Sequence, residues 1–207
     1  MSHVGVINYH PVKFLDNLEG NKHVVLLYDD ERYGDLIIAR YFLNGLEKEE
    51  SCIFFAEEDS ETIKRKLRAQ GIDVEKYEHS NSLRIFHPEP AKSTNTSILE
   101  ILIGIRKNST RGMKRPFRFA GRTIVDIESV NGMLQGLEVE RTGQEHFSEF
   151  DNAQMCFYDV LKLEQSKRNE WIKGLLKNHD QVIYASAPDK AVGFDAVLLE
   201  DEEEQMT

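Results

Sequence analysis

The chain has 207 residues, 40% of them apolar, enough to close a sizeable core without a disulfide staple or a structural metal. Its 26 basic and 36 acidic side chains leave a formal charge of −10, part of it concentrated at Glu200, Asp201, Glu202, Glu203 and Glu204, and that balance argues against duplex nucleic acid as a partner. No apolar run approaches the roughly 20 residues of a membrane helix, and Met1 to Asn8 lack the basic flank and apolar stretch of a signal peptide. Cys52 and Cys156 stand far apart in apolar surroundings. The expected compartment is therefore the cytoplasm, with both thiols reduced and no membrane association.

Elements alternate along the chain. His23 to Tyr28 is a continuous apolar run, the pattern of a strand buried on both faces. Helical spacing follows from about Tyr33 through Leu36, Ile37, Phe42, Leu43 and Leu46. Cys52 to Ala56 predicts a second buried strand. A helix capped by Asp59 or Ser60 then carries Ile63 and Leu67 and ends at Gly71, a residue suited to a left-handed helix terminus. Leu83 to His87 predicts a third strand, stopped by Pro88 and Pro90. A helix from about Thr96 to Lys107 and a fourth strand from Arg122 to Ile127 come next.

The longest helix is expected from about Gly143 to Leu163, because Phe147, Phe150, Gln154, Phe157 and Leu161 recur at three- and four-residue steps. Trp171, Ile172, Leu175 and Leu176 mark another helix, Gln181 to Ser186 another strand, and Phe194 to Leu199 a last edge strand. Strands alternating with helices imply right-handed crossovers and a three-layer α/β fold, a mainly parallel twisted sheet with helices on both faces. The expected organisation is an N-terminal segment (1–9), one domain (10–200) and a disordered acidic tail (201–207). Ligands in such sheets sit beyond the carboxyl ends of the strands.

After the first strand, Tyr28 to Asp35 has one glycine, no lysine and no Ser or Thr, but three Asp and one Glu. A phosphate-binding loop needs glycine amides and a lysine, and clustered carboxylates repel a triphosphate. Asp30 either belongs to a ligand site or only caps the next helix. Glu57 and Glu58 end the second strand, where they either activate a water or hold a metal, or simply begin a helix. His87 ends the third strand. Asp126 and Glu128 flank Ile127 and share one face of the predicted fourth strand.

Seven basic residues from Arg106 to Arg122, with no acid among them, suit an anion, an acidic partner or RNA stacking on Phe117 and Phe119; the plainer reading is a basic helix end and an exposed hairpin. Cys156, with Tyr158 and Asp159, falls on the predicted long helix slightly off its apolar stripe. Packing is its expected role there, since no histidine stands beside it in sequence.

Two resemblances rest on these residues. The run from His23 to Asp73 is similar to the opening of RecA-like ATPases of the KaiC type, with Asn44 and Gly45 at the place of a helix-ending turn and Glu57 and Glu58 at the place of that family's glutamate pair. The Gly-Lys-Thr/Ser loop is replaced by Tyr28 to Asp35. The whole chain more closely resembles the MEDS domain, a RecA-related sensory module, over roughly residues 10 to 187. The matching pieces are the strand from His23 to Tyr28, Glu149 before a Cys-x-Tyr-Asp segment (Cys156, Tyr158, Asp159), and His179 before Val182 and Ile183.

That resemblance implies a non-catalytic sensor that binds a small molecule, proposed for the family to be a simple hydrocarbon derivative. No helix-turn-helix or kinase pattern accompanies it, so output is expected through a protein partner or a homo-oligomer. The expected ligand-binding residues are Tyr28, Asp30, Glu57, Glu58, His87, Arg122, Asp126 and Glu128, with Cys156, Tyr158 and His179 added by resemblance. No catalytic residue, metal or cofactor is expected. The alternatives are a KaiC-like nucleotide-binding protein or ATPase, and a RecA-like scaffold without a ligand.

Overall fold

The computed structural model describes residues 9–88 and 96–196. The N-terminal segment before Tyr9, Pro90, the end of the last predicted strand and the acidic tail lie outside them. The strands are β1 (His23–Tyr28), β2 (Ser51–Phe55), β3 (Leu83–Phe86), β4 (Phe117–Gly121), β5 (Asn152–Asp159), β6 (Gln181–Ala185) and β7 (Val192–Asp195). The helices are α1 (His10–Asp16), α2 (Glu31–Glu47), α3 (Ser60–Ala69), α4 (Val74–His79), α5 (Ile98–Ser109), α6 (Val130–Glu145) and α7 (Arg168–Lys177), with a 3-10 turn at Phe147–Glu149.

One sheet takes the order β3-β2-β4-β5-β1-β6-β7. It is parallel except for β7, which pairs antiparallel with β6. Alternation along the strands divides the core in two. Val24, Leu26, Phe54, Met155 and Ile183 pack with α1 to α4 on one face, while Val25, Leu27, Cys156, Tyr158 and Val182 pack with α6 and α7 on the other. The chain thus leaves β1 along one face, turns after β3 and returns along the opposite face, which gives the expected three layers. No helix among the described residues is long and apolar enough to cross a membrane.

The local signals at several ends hold. Asp59 accepts from the Thr62 amide at 3.0 Å and caps α3. Gly71, at φ +93°, turns the chain just beyond that helix.

Three expectations are corrected. Arg122 to Ile127 is a loop after β4, not a strand: Ile124 and Ile127, 1% and 2% exposed, plug the layer beneath α6 instead of joining the ladder. Asp126 and Glu128 accordingly share no strand face. The long helix from Gly143 to Leu163 does not exist either; α6 ends at Glu145 and β5 begins at Asn152, next to a positive φ at Asp151. Asn44 and Gly45 lie within α2 rather than in a turn, where the Asn44 amide donates to Asp16 at 2.9 Å.

The contact between α6 and the loop is close because α6 presents glycine there. A Cβ on Gly136 would stand 2.3 Å from Ile124 Cγ2. Gly136→Ala is therefore expected to cost about 1–3 kcal/mol through overpacking and to lower the midpoint of thermal unfolding by several degrees, measurable by circular dichroism. An unchanged midpoint would show that α6 does not seat on this loop.

Candidate functional site

At the carboxyl ends of β1, β2, β4 and β5 a cavity of about 120 Å³ opens on the α2–α3 side of the sheet. Its floor is apolar, made by Ile38, Phe54, Phe157, Ile63 and Leu67. Its rim is charged and internally paired. Arg122 is in contact with Glu57, Lys66 Nζ lies 2.7 Å from Glu31 and 3.3 Å from Glu58, and Lys162 lies 3.7 Å from Asp159. Burial pushes the Tyr28 phenol up to about 12, reinforced by the Asp159 charge, and burial likewise raises the Asp35 carboxyl. Each of the three rim cations thus already faces a carboxylate.

Of the residues expected here, Tyr28, Glu57, Glu58 and Arg122 line the cavity; the others do not. Asp30 is the N-cap of α2, accepting from the Arg32 amide at 2.9 Å and pairing with the Arg32 guanidinium. His87 is exposed, with Nε2 3.0 Å from Ser60 Oγ. Asp126 accepts from the Glu128 and Ser129 amides at 3.2 Å and organises the exposed turn into α6, and the Glu128 side chain is on the surface.

Part of the basic stretch is taken up within the fold. Arg115 pairs with Asp151 and Arg118 is buried against Glu50. Phe119, 1% exposed, stacks on Phe55 inside the sheet instead of offering a platform.

Cys156, Tyr158 and His179 gather elsewhere, on the opposite face, inside the layer between the sheet and α6. Placing Cys156 on a strand rather than a helix is what brings it there. In β5 the side chains of Gln154, Cys156 and Tyr158 point to one face, where they meet His23 at the start of β1, His179 just before β6, and Glu140 of α6. Sequence reasoning missed Glu140 altogether. A signal existed: Gly132, Gly136, Glu140 and Gly143 recur at three- and four-residue steps, so the carboxyl lies on the same closely packed stripe as the glycines.

Glu140 is 1% exposed, and Tyr158 donates to its Oε1. Its Oε2 lies 3.6 Å from Cys156 Sγ, 3.7 Å from His179 Nε2 and 3.8 Å from His23 Nε2. Burial pulls both imidazoles down to about 4, so both are neutral near pH 7. Burial and the Glu140 charge hold the Cys156 thiol well above its ordinary value. That excludes a free nucleophilic thiolate.

The stretch from residue 22 to residue 180 matches the family model of MEDS, the methanogen/methylotroph, DcmR sensory domain. Among solved structures the chain is similar to a KaiC-like protein from the hyperthermophilic archaeon Pyrococcus horikoshii OT3, with a TM-score of 0.60 and 17% identity over 84% of this chain and 74% of that one. At that identity the likeness is one of fold. No curated protein matches the chain. Since the matched family model spans both the strand-end cavity and the buried polar cluster, and takes in most of the sequence, the chain belongs to the MEDS family of sensory domains.

Proposed function

We propose that this sensory domain recognises a small organic molecule in the strand-end cavity and does not hydrolyse nucleotide. The observation that carries the reading is the charge pairing of that cavity. Phosphate binding on this kind of fold needs amides and an ammonium group free to meet the anion. Here Lys66, Arg122 and Lys162 are already offset by Glu31, Glu58, Glu57 and Asp159, and the start of α2 is capped by Asp30.

Size supports the same conclusion. A cavity of 120 Å³ falls below the roughly 300–1,000 Å³ of drug-sized sites. The apolar floor and polar rim suit a compact molecule of a few carbons with one polar end. Binding works by population shift: a ligand that prefers one arrangement of the rim draws the ensemble toward it. The changed surface is then read by a protein partner or a second copy of the chain. The cytoplasm is the matching compartment, since Cys52 and Cys156 are both buried and unpaired.

Thermal shift tests this directly. A panel of short-chain alcohols, amines and halogenated hydrocarbons is expected to include members that raise the unfolding midpoint, by about 2.7 kcal/mol of stabilisation at a hundredfold excess over Kd. Mg-ATP is expected to leave the midpoint unchanged; a rise of several degrees with Mg-ATP, or measurable phosphate release, overturns the proposal. Phe157→Trp adds volume to the cavity floor. It is expected to abolish the panel response while far-UV circular dichroism stays that of the parent, and a retained response would move the ligand to another site.

A further inference from the structure

The buried cluster on the far side of the sheet has a hydrogen-bond arrangement that protein groups alone do not complete. His179 Nδ1 lies 2.7 Å from the Leu175 carbonyl, which only accepts, so the proton is on Nδ1 and Nε2 carries a lone pair. Gln144 Nε2 donates to Asp180 at 2.8 Å, which leaves Gln144 Oε1 to accept from His23 Nδ1, also at 2.8 Å. His23 Nε2 is therefore a lone pair too. Both lie 3.7–3.8 Å from Glu140 Oε2, itself an acceptor; Gln154 Nε2 reaches His23 Nε2 only at 3.5 Å and the Cys156 thiol reaches Glu140 Oε2 at 3.6 Å, while His179 Nε2 is buried without a hydrogen-bond partner. A buried lone pair with no donor, facing a carboxylate, is unfavourable. The nearest guanidinium, Arg106, donates instead to Gln154 Oε1 at 2.6 Å and stacks over Phe150.

We propose that His23 Nε2, His179 Nε2, Glu140 Oε2 and Cys156 Sγ form a tetrahedral site for a divalent transition-metal ion of the zinc class. The four atoms lie within 4.8 Å of one another, and four of their six separations are 3.5 Å for Cys156–His23, 3.6 Å for Cys156–Glu140, 3.7 Å for His179–Glu140 and 3.8 Å for His23–Glu140. Zinc bonds of about 2.0–2.3 Å directed to the corners of a tetrahedron place the ligand atoms about 3.3–3.8 Å apart. One thiolate and two imidazoles select a borderline-soft ion over magnesium or calcium, which take oxygen ligands.

The charges balance as well. On binding, the Cys156 thiol releases its proton to solvent, and thiolate plus carboxylate cancel the 2+ ion, leaving a neutral centre. Each ligand is held from outside. Leu175 O and Gln144 fix the two rings, Tyr158 donates to the other Glu140 oxygen, and Thr123 Oγ1 lies 3.3 Å from Cys156 Sγ. This site is separate from the strand-end cavity and stands whether or not that cavity binds a ligand.

The test uses the full chain. Elemental analysis of the purified protein is expected to find about one zinc-class ion per chain. After chelation, titration with Co²⁺ is expected to give intense tetrahedral visible bands and a thiolate-to-cobalt charge-transfer band, saturating at about one equivalent. Cys156→Ser should remove the charge-transfer band, whereas Cys52→Ala, on the other face of the sheet, should keep it. Gln144→Met touches no ligand atom and is expected to weaken Co²⁺ binding about 10- to 100-fold; it gives the answer even if Cys156→Ser fails to fold. A wild-type protein that yields only weak octahedral bands, or a charge-transfer band that survives Cys156→Ser, overturns the proposal.

Discussion

Strand β5 has to bury both of its faces, and only one of them is apolar. It lies between β1 and β4 near the middle of the sheet. Ala153, Met155 and Phe157 face the α2 layer as ordinary core, whereas Gln154, Cys156 and Tyr158 project into the other layer, where each unpaired polar group costs about 1–3 kcal/mol. The partners that relieve this cost come from far along the chain: His23 from the start of β1, Glu140 from α6 and His179 from the segment entering β6. The glycines of α6 belong to the same solution, because they let the helix come close enough for Glu140 to reach the strand.

The two sites are neighbours through single residues. After β4, Arg122 pairs with Glu57 on the rim of the strand-end cavity, and the next residue, Thr123, touches Cys156 Sγ in the buried cluster. In β5, Cys156 faces the cluster and Phe157 forms part of the cavity floor. The loop after β4 therefore contacts both places.

A RecA-like sheet without a phosphate loop keeps the crevice at the strand ends but changes its electrostatics. Carboxylates cap α2 and offset the rim cations, and that pairing is what the proposed preference for small uncharged or weakly polar molecules rests on. The basic stretch meets the same fate. Three of its arginines pair with Asp151, Glu50 and Glu57, and Arg106 is buried against Gln154 and Phe150, so much of this run of like charge is spent inside the fold.

What the amino-acid order determined by itself was set by local physics. The uninterrupted apolar run of β1, the cap at Asp59, the left-handed Gly71 and the alternation of strand and helix suffice for a three-layer parallel α/β fold. The acidic, glycine-poor segment after β1, with no Gly-Lys-Thr/Ser loop, was legible in the order of residues, and Tyr28, Glu57, Glu58 and Arg122 at the cavity follow from strand-end position. Tertiary structure decided the rest. In β5 the polar side chains interrupt the apolar run that marks a buried strand, and the aromatic spacing around them imitates a helix; only their pairing with β1 and β4 resolves the ambiguity. Ile124 and Ile127 read as strand because burial, not ladder pairing, makes them apolar. The cluster of His23, Glu140, Cys156 and His179 spans 157 positions of sequence, and convergence over such a distance is a property of the sheet order, which no local signal encodes.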